Sequence, residues 1–436
     1  MQVKPFKAFR FDKAIVGDVG SCISPPYDVI NPTQQEKLLK KSEHNIVRII
    51  KGKNTASDNG ENNQYTRAAN YLSSWIEQGA LKQDTEEAIY AYVQNFELAG
   101  EQFQRLSFIA LGKMEEFGNV VKPHEQIFEK PMLDRLNLKR AAKARFGLTF
   151  MLYEDEKEIA DKIITRIVDT KPLIDFTDED NVRHRLFTIN EKEDIEQIVK
   201  MMNEKSCIIA DGHHRYTTGL TYFRESNNPS TEYQMLAFAN ISNKGLIVLA
   251  THRVVGNIEN FRFEKLITDL KENFELIEIP FDSPQAKTDA KQKMLAQMKV
   301  EHTNEKKAFG IYGANNAFYV AVLKNEQVMD PITPDMSPAW RTLDVSILHK
   351  LILEKLLGIN EEKLTKREIL QYVKDTPNAI DQIISEVDSG NKQAAFFLNP
   401  IKMQQLKKVT DANERMPQKS TYFFPKIYTG LTIQKL

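Results

Sequence analysis

The sequence predicts a mixed α+β (mixed α/β) fold. Strand-like and helix-like segments alternate along the whole chain, a pattern typical of sheets covered by helices. The chain has 436 residues, too many for one ordinary core, and 41% of them are hydrophobic, enough for a well-buried interior. We expect a core region over residues 1–256 and a C-terminal α+β region over residues 257–436 that packs on it.

The elements of the first region follow from local patterns, taken in chain order. A helix begins near Thr33, and an amphipathic helix that begins at Tyr65 stops at Gly79. Two strands around Ala99-Gly100 predict a hairpin over 88–98 and 106–114. Further strands are expected over 146–153, 207–210, 233–241 and 245–255, and further helices over 157–168, 194–204 and 215–225.

The second region repeats the alternation. Gly313-Ala314-Asn315-Asn316 separates two apolar runs and predicts a hairpin. Helices are expected over 263–273, 286–298, 345–357, 366–374 and 379–387, and a strand over 394–398.

Composition excludes several classes of protein. The 59 basic and 60 acidic residues leave a net charge of -1, so the chain as a whole has no electrostatic footprint for nucleic acid. Two cysteines, Cys22 and Cys207, cannot form a disulfide framework and indicate a reducing compartment. With no signal-peptide pattern and no apolar run of eighteen residues, a cytoplasmic protein without a membrane partner is expected.

The strongest chemical signal is the segment Asp211-Gly212-His213-His214-Arg215. An apolar run leads into it, Gly212 permits close backbone approach to a ligand, and a helix begins at once. A helix N-terminus offers free N–H groups to an anion, and Arg215 can clamp a phosphate. Asp211 is the candidate for holding Mg²⁺ or orienting a hydroxyl. Two surface histidines in a turn with an Asp cap remain the alternative.

A second signal is Pro123-His124-Glu125-Gln126. A carboxylate next to a proline-fixed backbone can act as a positioned general base, and Glu125 is that carboxylate. The alternative is an ordinary acidic residue at a helix start, where it complements the helix dipole. The absence of Walker A, GxGxxG and GxSxG sequences argues against P-loop, Rossmann and hydrolase proteins.

Together the two motifs resemble those of the free serine kinases with a ParB/sulfiredoxin-like fold, in which a Pro-His-Glu segment precedes an Asp-Gly-His-His-Arg loop. The resemblance implies that Glu125 is the base for the serine hydroxyl and that Asp211 binds substrate or metal. It also implies that His213, His214 and Arg215 hold the nucleotide phosphates. The gap between the two motifs is longer here, which implies an insertion near residues 150–203.

Nearly the full length is also similar to the uncharacterised DUF1015 family. The matching segments are Ser24-Pro25-Pro26-Tyr27-Asp28-Val29-Ile30, His124-Glu125-Gln126, Asp134-Arg135, Asp211 to Arg215, Thr251-His252-Arg253, Leu343-Asp344-Val345, and Met416-Pro417-Gln418-Lys419-Ser420-Thr421. This similarity implies no activity by itself.

Weaker candidates for the same pocket are distributed over the chain. His252 and Arg253 end a predicted strand, where they could reach a phosphate, or they lie at a surface strand end. Tyr27 and Asp28 line the pocket or form a structural turn, and His124 accompanies Glu125. Lys419 and Ser420 resemble a phosphate-contacting run or a solvated tail. Arg135, Arg140 and Arg145 form a basic wall or a solvated helix face.

These observations favour a nucleotide-dependent kinase of a small hydroxyl metabolite, with free L-serine as substrate, ATP or ADP as phosphate donor and Mg²⁺ as cofactor. Two alternatives remain open. One is a phosphoserine phosphatase or phosphotransferase that uses the same pocket, and the other is a ParB-like nucleotide-binding switch outside metabolism. Consumption of phosphoserine without nucleotide would favour the first, and salt-dependent binding to DNA the second.

Overall fold

The computed structural model describes residues 1–126, 129–226, 228–364 and 368–436. The chain divides into two compact units: residues 1–247 together with 425–436 (the first unit), and residues 248–424 (the second unit). Both units combine sheets and helices, which confirms the mixed α+β prediction. The first unit ends before the predicted boundary at residue 256, and the last twelve residues return to it instead of staying with the C-terminal region.

The first unit contains the following elements. Its strands are β1 (Val3–Lys4), β2 (Phe9–Phe11), β3 (Leu81–Gln83), β4 (Ile89–Leu98), β5 (Glu101–Lys113), β6 (Val121–Lys122), β7 (Ala144–Arg145), β8 (Thr149–Tyr153), β9 (Ile174–Thr177), β10 (Arg183–Ile189), β11 (Cys207–Asp211) and β12 (Tyr233–Asn240). Its helices are α1 (Lys13–Val16), α2 (Pro32–Lys41), α3 (Val47–Ile50), α4 (Gln64–Glu77), α5 (Glu129–Ala142), α6 (Ile159–Ile167), α7 (Lys192–Asn203) and α8 (His213–Ser226).

A nine-stranded sheet organises this unit, in the order β6-β11-β8-β12-β5-β4-β10-β9 with β1 on β5. The predicted hairpin is confirmed as β4 and β5, and the turn residues Ala99 and Gly100 both have positive φ. Two pairs of neighbours, β6 with β11 and β8 with β12, run parallel. Since parallel strands end at the same edge of a sheet, β6 and β11 deliver the residues that follow them to one place.

The segment near residues 150–203 is part of this sheet. Strand β8 is buried along its whole length and lies between β11 and β12, while β9 and β10 close the other edge. Helices α6 and α7 cover the sheet, and Ile163, Ile198 and Met202 pack into its core. The region expected as an insertion therefore contributes three strands to this sheet, of which β8 is central because it pairs with β11 and β12.

The second unit contains its own elements. Its strands are β13 (Ile247–Leu249), β14 (Thr251–Val255), β15 (Phe274–Pro280), β16 (Ala308–Tyr312), β17 (Ala317–Leu323), β18 (Leu370–Lys374), β19 (Ala394–Phe397) and β20 (Tyr422–Phe424). Its helices are α9 (Phe263–Leu270), α10 (Pro284–Thr303), α11 (Pro338–Arg341), α12 (Asp344–Ile347), α13 (Glu361–Leu364), α14 (Ala379–Asp388) and α15 (Met403–Asp411), and a π-helical stretch spans Leu348–Leu356.

An antiparallel six-stranded sheet, β15-β17-β16-β19-β14-β18, forms the centre of the second unit. The hairpin predicted around residues 313–316 is confirmed as β16 and β17. The helix predicted over 366–374 is wrong where the structure describes it: residues 365–367 lie outside the described residues, and Leu370–Lys374 form β18. Pairing of β18 with β14 outweighs the local helical pattern.

The chain then returns to the first unit. Its last strand, β21 (Gln434–Lys435), pairs antiparallel with β7. Residues 425–436 therefore reach side chains that the sequence places hundreds of positions earlier.

Candidate active site

The two motifs singled out in the sequence meet at the ends of neighbouring parallel strands. Cys207 of β11 lies opposite Val121 of β6, and Ile208 lies opposite Lys122. Beyond β6 the chain continues into Pro123-His124-Glu125, and β11 ends at Asp211. The sheet therefore places the carboxylate segment next to the Asp-Gly-His-His-Arg turn.

Gly212 is required by this turn for two reasons. Its φ is +92°, in the region that favours glycine, and a Cβ added there would lie 2.8 Å from Nε of Arg215. Helix α8 begins at the next residue, and the N–H of Tyr216 donates to the carbonyl of Gly212 at 3.0 Å. Close packing between the turn and the guanidinium thus fixes Arg215 at the start of the helix.

His213 organises the Pro-His-Glu segment. It is buried, and its Nε2 accepts hydrogen bonds from the backbone N–H groups of His124 and Glu125 at 3.2 and 3.3 Å. An accepting ring nitrogen carries no proton, so the proton of the neutral imidazole is assigned to Nδ1, 3.7 Å from Oε2 of Glu125. These contacts join His213 to the Pro-His-Glu segment, and the expectation that it holds phosphate stays a prediction.

The two other histidines of the site differ in burial. His124 is completely buried and its Nδ1 donates to the carbonyl of Ile209 at 2.6 Å, while its ring meets that of His213 edge-on at 4.7 Å. Burial lowers the pKa of His124 and keeps the ring neutral. His214 is half-buried on the first turn of α8, where its carbonyl accepts from the hydroxyl of Thr218.

Asp211 is held between two cations. Its Oδ2 lies 3.3 Å from Nη2 of Arg215 and 3.4 Å from Nζ of Lys426, and its side chain is 17% exposed. Burial acts to raise the pKa of Asp211, but the cations Lys426 and Arg215 outweigh it and hold that pKa well below the ordinary value. The carboxylate is therefore ionised and already neutralised by protein groups.

These contacts bear on the predicted magnesium site. Mg²⁺ in proteins takes oxygen ligands, and the described residues include no cluster of three or more His, Cys, Asp or Glu side chains arranged for a metal. The surroundings of Asp211 are cationic instead. The side chains of this site thus do not fit a metal ion held by the protein alone.

Lys426 was not identified from the sequence, and a buried polar network positions it. Arg105 and Gln94 face each other on β4 and β5 and are joined by a hydrogen bond from Nε of Arg105 at 3.0 Å. Arg105 also donates to the carbonyl of Pro425 at 2.6 Å, and Gln94 donates to the carbonyl of Lys426 at 3.0 Å. The only sequence signal for this contact is the Pro-containing, aromatic composition of the tail, which suggests packing but no partner.

A cavity of about 60 Å³, which we call the basic cavity, adjoins Arg215. Its lining residues are Tyr27, Ile50, Arg135, Leu138, Lys139, Ala144, Arg145, Phe146, Gly147, Arg215, Thr218, Gln234 and Thr429. None of these described residues is an acid. A cavity with several cations and no carboxylate in its wall is suited to an anionic ligand.

Two of these cations converge on one neutral acceptor. Lys139 and Arg145 are buried, and both donate to Oε1 of Gln234, at 3.1 and 2.9 Å. Burial lowers the pKa of Lys139 well below the ordinary value and lowers the pKa of Arg145 to about 9. Among the described residues neither forms an ion pair. Of the predicted basic wall, Arg135 and Arg145 line this cavity together with Lys139, whereas Arg140 is exposed and pairs with Glu225.

The two candidates on the double-proline loop, Tyr27 and Asp28, differ in whether they line the basic cavity. Tyr27 lines the basic cavity and the guanidinium of Arg135 lies 4.0 Å from its ring centroid. Burial raises the pKa of Tyr27 to about 12, so its hydroxyl stays protonated. Asp28, by contrast, is exposed and is not among the described residues that line the cavity.

The remaining candidates, His252, Arg253, Lys419 and Ser420, belong to the second unit. His252 and Arg253 lie inside β14 and not at its end. Nδ1 of His252 accepts from the N–H of Leu398, and its Nε2 lies 3.4 Å from Oδ1 of Asp375. Arg253, Lys419 and Ser420 line a separate cavity within the second unit. Within the described residues, none of the four lines the basic cavity.

Comparison with known protein families shows which family the chain belongs to. A family model described as "Protein of unknown function (DUF1015)" matches residues 3–346. The chain belongs to the DUF1015 family. No curated protein matches this DUF1015 protein.

Several solved structures are similar to the DUF1015 chain at low identity. A free serine kinase in complex with AMP is 12% identical with a TM-score of 0.33, covering 70% of this chain and 83% of that one. SbnI with a C-terminal truncation, from Staphylococcus aureus, is 8% identical with a TM-score of 0.35, covering 75% and 87%. A conserved hypothetical protein from Pyrococcus furiosus is 13% identical with a TM-score of 0.30, covering 70% and 88%. At these values the similarities do not indicate which residues of the DUF1015 chain act.

One further property concerns membranes. Of the helices within the described residues of this DUF1015 protein, none is both long enough and apolar enough to cross a bilayer.

Proposed function

We propose that the first unit is a phosphotransferase that uses ATP or ADP to phosphorylate a small hydroxyl metabolite, with free L-serine as the first candidate. One observation carries this proposal. Glu125 lies next to the Asp211–Arg215 turn, and beside this turn is a cavity whose described lining contains several cations and no acid. A base and an anion pocket in one place are what phosphoryl transfer to a hydroxyl requires.

The buried cations support an anionic ligand. Burying a charge costs several kcal/mol unless it is compensated, and the described acceptors of Lys139 and Arg145 are all neutral. Both donate to Oε1 of Gln234, and Arg145 also donates to Oε1 of Gln434 and to the carbonyl of Thr231. Phosphate oxygens accept charge-assisted hydrogen bonds from such groups, which are roughly twice as strong as neutral ones. A nucleotide phosphate would therefore supply the missing negative charge.

Glu125 is suited to accept a proton. The side chain of Glu125 is 29% exposed, so a substrate can approach it. The backbone N–H groups of His124 and Glu125 both donate to His213, which fixes the backbone at Glu125. In the proposed step the substrate hydroxyl oxygen bonds to the terminal phosphorus while the bridging P–O bond breaks. The hydroxyl proton passes to a carboxylate oxygen of Glu125, and the nucleotide leaves with one phosphate fewer.

Asp211 acts in this proposal through its neighbours. By holding Arg215 and Lys426, it keeps two cations in place near the reacting phosphate. A divalent cation that arrives with the nucleotide would neutralise phosphate charge further, but the described side chains do not hold one by themselves. Serine as the substrate rests on the resemblance of the two motifs, and the geometry supports a small hydroxyl compound more generally.

The test is a panel of phosphate donors. Purified protein is incubated with free serine and either ATP, ADP or pyrophosphate, and phosphoserine is detected by mass. Formation with one nucleotide, and its persistence in the variant Glu116→Gln, would support the proposal; Glu116 is an exposed carboxylate in the loop before β6. Failure with every donor, or release of phosphate from phosphoserine without nucleotide, would contradict it.

A further inference from the structure

The last twelve residues, 425–436, which we call the C-terminal strap, belong to the first unit although the whole second unit precedes them in the sequence. We propose that Lys426 of this strap binds the phosphate group that is transferred, and that Gln94 is a positioning residue that holds Lys426 in place. The role of Lys426 in transfer rests on the proposed function, whereas its contact with a phosphate can be tested without any reaction.

Lys426 directs its amine at the turn that precedes helix α8. Its Nζ lies 3.4 Å from Oδ2 of Asp211, and Nη2 of Arg215 lies 3.3 Å from the same oxygen. Two cations thus converge where the helix begins, and a lysine or arginine beside a helix N-terminus is a common arrangement for binding phosphate. The side chain of Lys426 is 14% exposed, so a small anion can reach it.

Gln94 holds the backbone of the strap from the middle of the sheet. It is completely buried on β4, and its Nε2 donates to the carbonyl of Lys426 at 3.0 Å. Its Oε1 accepts from Nε of Arg105 at 3.0 Å, and Arg105 donates in turn to the carbonyl of Pro425 at 2.6 Å. Two successive carbonyls of the strap are therefore fixed by one buried pair of side chains.

The burial of Arg105 indicates that the position of the strap matters. Arg105 is completely buried, its acceptors named above are neutral, and no acid in the described ranges forms an ion pair with it. Burial lowers the pKa of Arg105 to about 10, so it stays charged at neutral pH. Taking a charge out of water costs free energy that neutral acceptors offset only in part. Apolar side chains would be enough to pack a strap, but directed hydrogen bonds fix one position of its backbone.

Contacts on the other side of the lysine complete this hold. The ring of Tyr428 lies 4.4 Å from that of His184, and its hydroxyl is hydrogen-bonded to Asp178. The same carboxylate lies 2.9 Å from Nε2 of His184. One residue further, the N–H of Thr429 donates to the carbonyl of Ser24 at 2.8 Å. Because the backbone is fixed before and after it, the lysine has less freedom to lose when it binds phosphate.

The first experiment is calorimetric titration of the full chain with inorganic pyrophosphate. Lys426→Met should weaken pyrophosphate affinity about tenfold or more, because a hydrogen bond from a charged donor is lost. Gln94→Glu keeps an acceptor for Arg105 but removes the donor to the strap, and Gln94→Met removes the donor without adding a charge. Each Gln94 variant should weaken affinity about fivefold or more, since the amine of Lys426 is then misplaced.

Double variants separate positioning from a general loss of structure. If Gln94 acts through Lys426, adding either Gln94 replacement to Lys426→Met should change pyrophosphate affinity by less than about twofold. Gln104→Glu and Lys435→Met, at exposed positions of β5 and β21, are the matched controls and should bind like wild type. Losses that multiply in the double variants, unchanged affinity in both Gln94 variants, or no binding of pyrophosphate by wild type would overturn the proposal.

Steady-state kinetics give a second measurement. In the phosphorylation assay both Gln94 variants should lower kcat and raise KM for the phosphate donor, while KM for serine stays within about twofold of wild type. Equal increases in both KM values would indicate a merely structural role and contradict the assignment of Gln94. If no donor yields phosphoserine, the proposed function fails, and the pyrophosphate titrations still decide whether Lys426 binds phosphate.

Discussion

Replacing Lys139 with methionine should stabilise the free protein and weaken its binding of nucleotide. The Nζ of Lys139 is buried and donates to Oε1 of Gln234 at 3.1 Å. Arg145 donates to the same oxygen. Exchanging a buried ion pair for apolar side chains of similar volume is often neutral or stabilising by about 1–4 kcal/mol, and a buried ion without a partner charge has less attraction to offset its desolvation. Loss of one hydrogen bond costs about 1 kcal/mol, so we expect a net gain of about 1 kcal/mol in the free energy of unfolding.

The effect on binding has the opposite sign. A hydrogen bond from a charged donor contributes about 1.5–3 kcal/mol. Its loss should therefore weaken ADP affinity roughly 10- to 100-fold. Gln234 keeps its contact with Arg145, so the rest of the cavity wall should remain in place.

Two measurements on the same variant check this reasoning. Urea unfolding gives the free energy of unfolding, and titration calorimetry gives the dissociation constant for ADP. Lys200→Met, at an exposed lysine of α7, is the matched control and should change neither. A Lys139→Met protein that is less stable than wild type and binds ADP equally well would refute the interpretation of Lys139 as an uncompensated cation kept for an anion.

Three other predictions concern the turn, the acid and the buried histidines. Gly212→Ala should destabilise the protein by about 1–3 kcal/mol in urea unfolding, because of the positive φ and the contact with Arg215; an unchanged midpoint would contradict it. Asp211→Asn should leave the Mg²⁺ concentration for half-maximal activity unchanged while lowering turnover, whereas a large increase in that concentration would show that Asp211 is a metal ligand. Buried His124 and His184 have lowered pKa values, so the unfolded chain takes up protons first and stability falls below about pH 6.5. The loss should reach up to about 1.4 kcal/mol for each histidine at pH 5.5, and equal unfolding free energies at pH 7.5 and 5.5 would exclude it.

Local patterns were sufficient for part of this structure. The apolar run before Asp211, the glycine and the following helix are encoded by neighbouring residues, and the structure has β11, Gly212 and α8 in that order. The hairpins around residues 99–100 and 313–316 are likewise local, because turn residues and flanking strands lie side by side in the sequence.

Contacts between distant segments were not available from those patterns. Nothing in the sequence near β6 or β11 states that the two strands are parallel neighbours, and this pairing is what joins Glu125 to Asp211. Lys426 reaches Asp211 only because residues 425–436 return to the first unit. The contacts of His213 depend on backbone donors in the segment after β6, so a pair of adjacent histidines could only suggest phosphate binding.

The most direct test of the central claim is the variant Glu125→Gln, measured for turnover and for nucleotide binding in parallel. If Glu125 accepts the hydroxyl proton, phosphoserine formation should fall about 100-fold or more, while the dissociation constant for ADP stays within about twofold of wild type. A Glu125→Gln protein that keeps full turnover would contradict the assignment of the base and, with it, the proposed reaction.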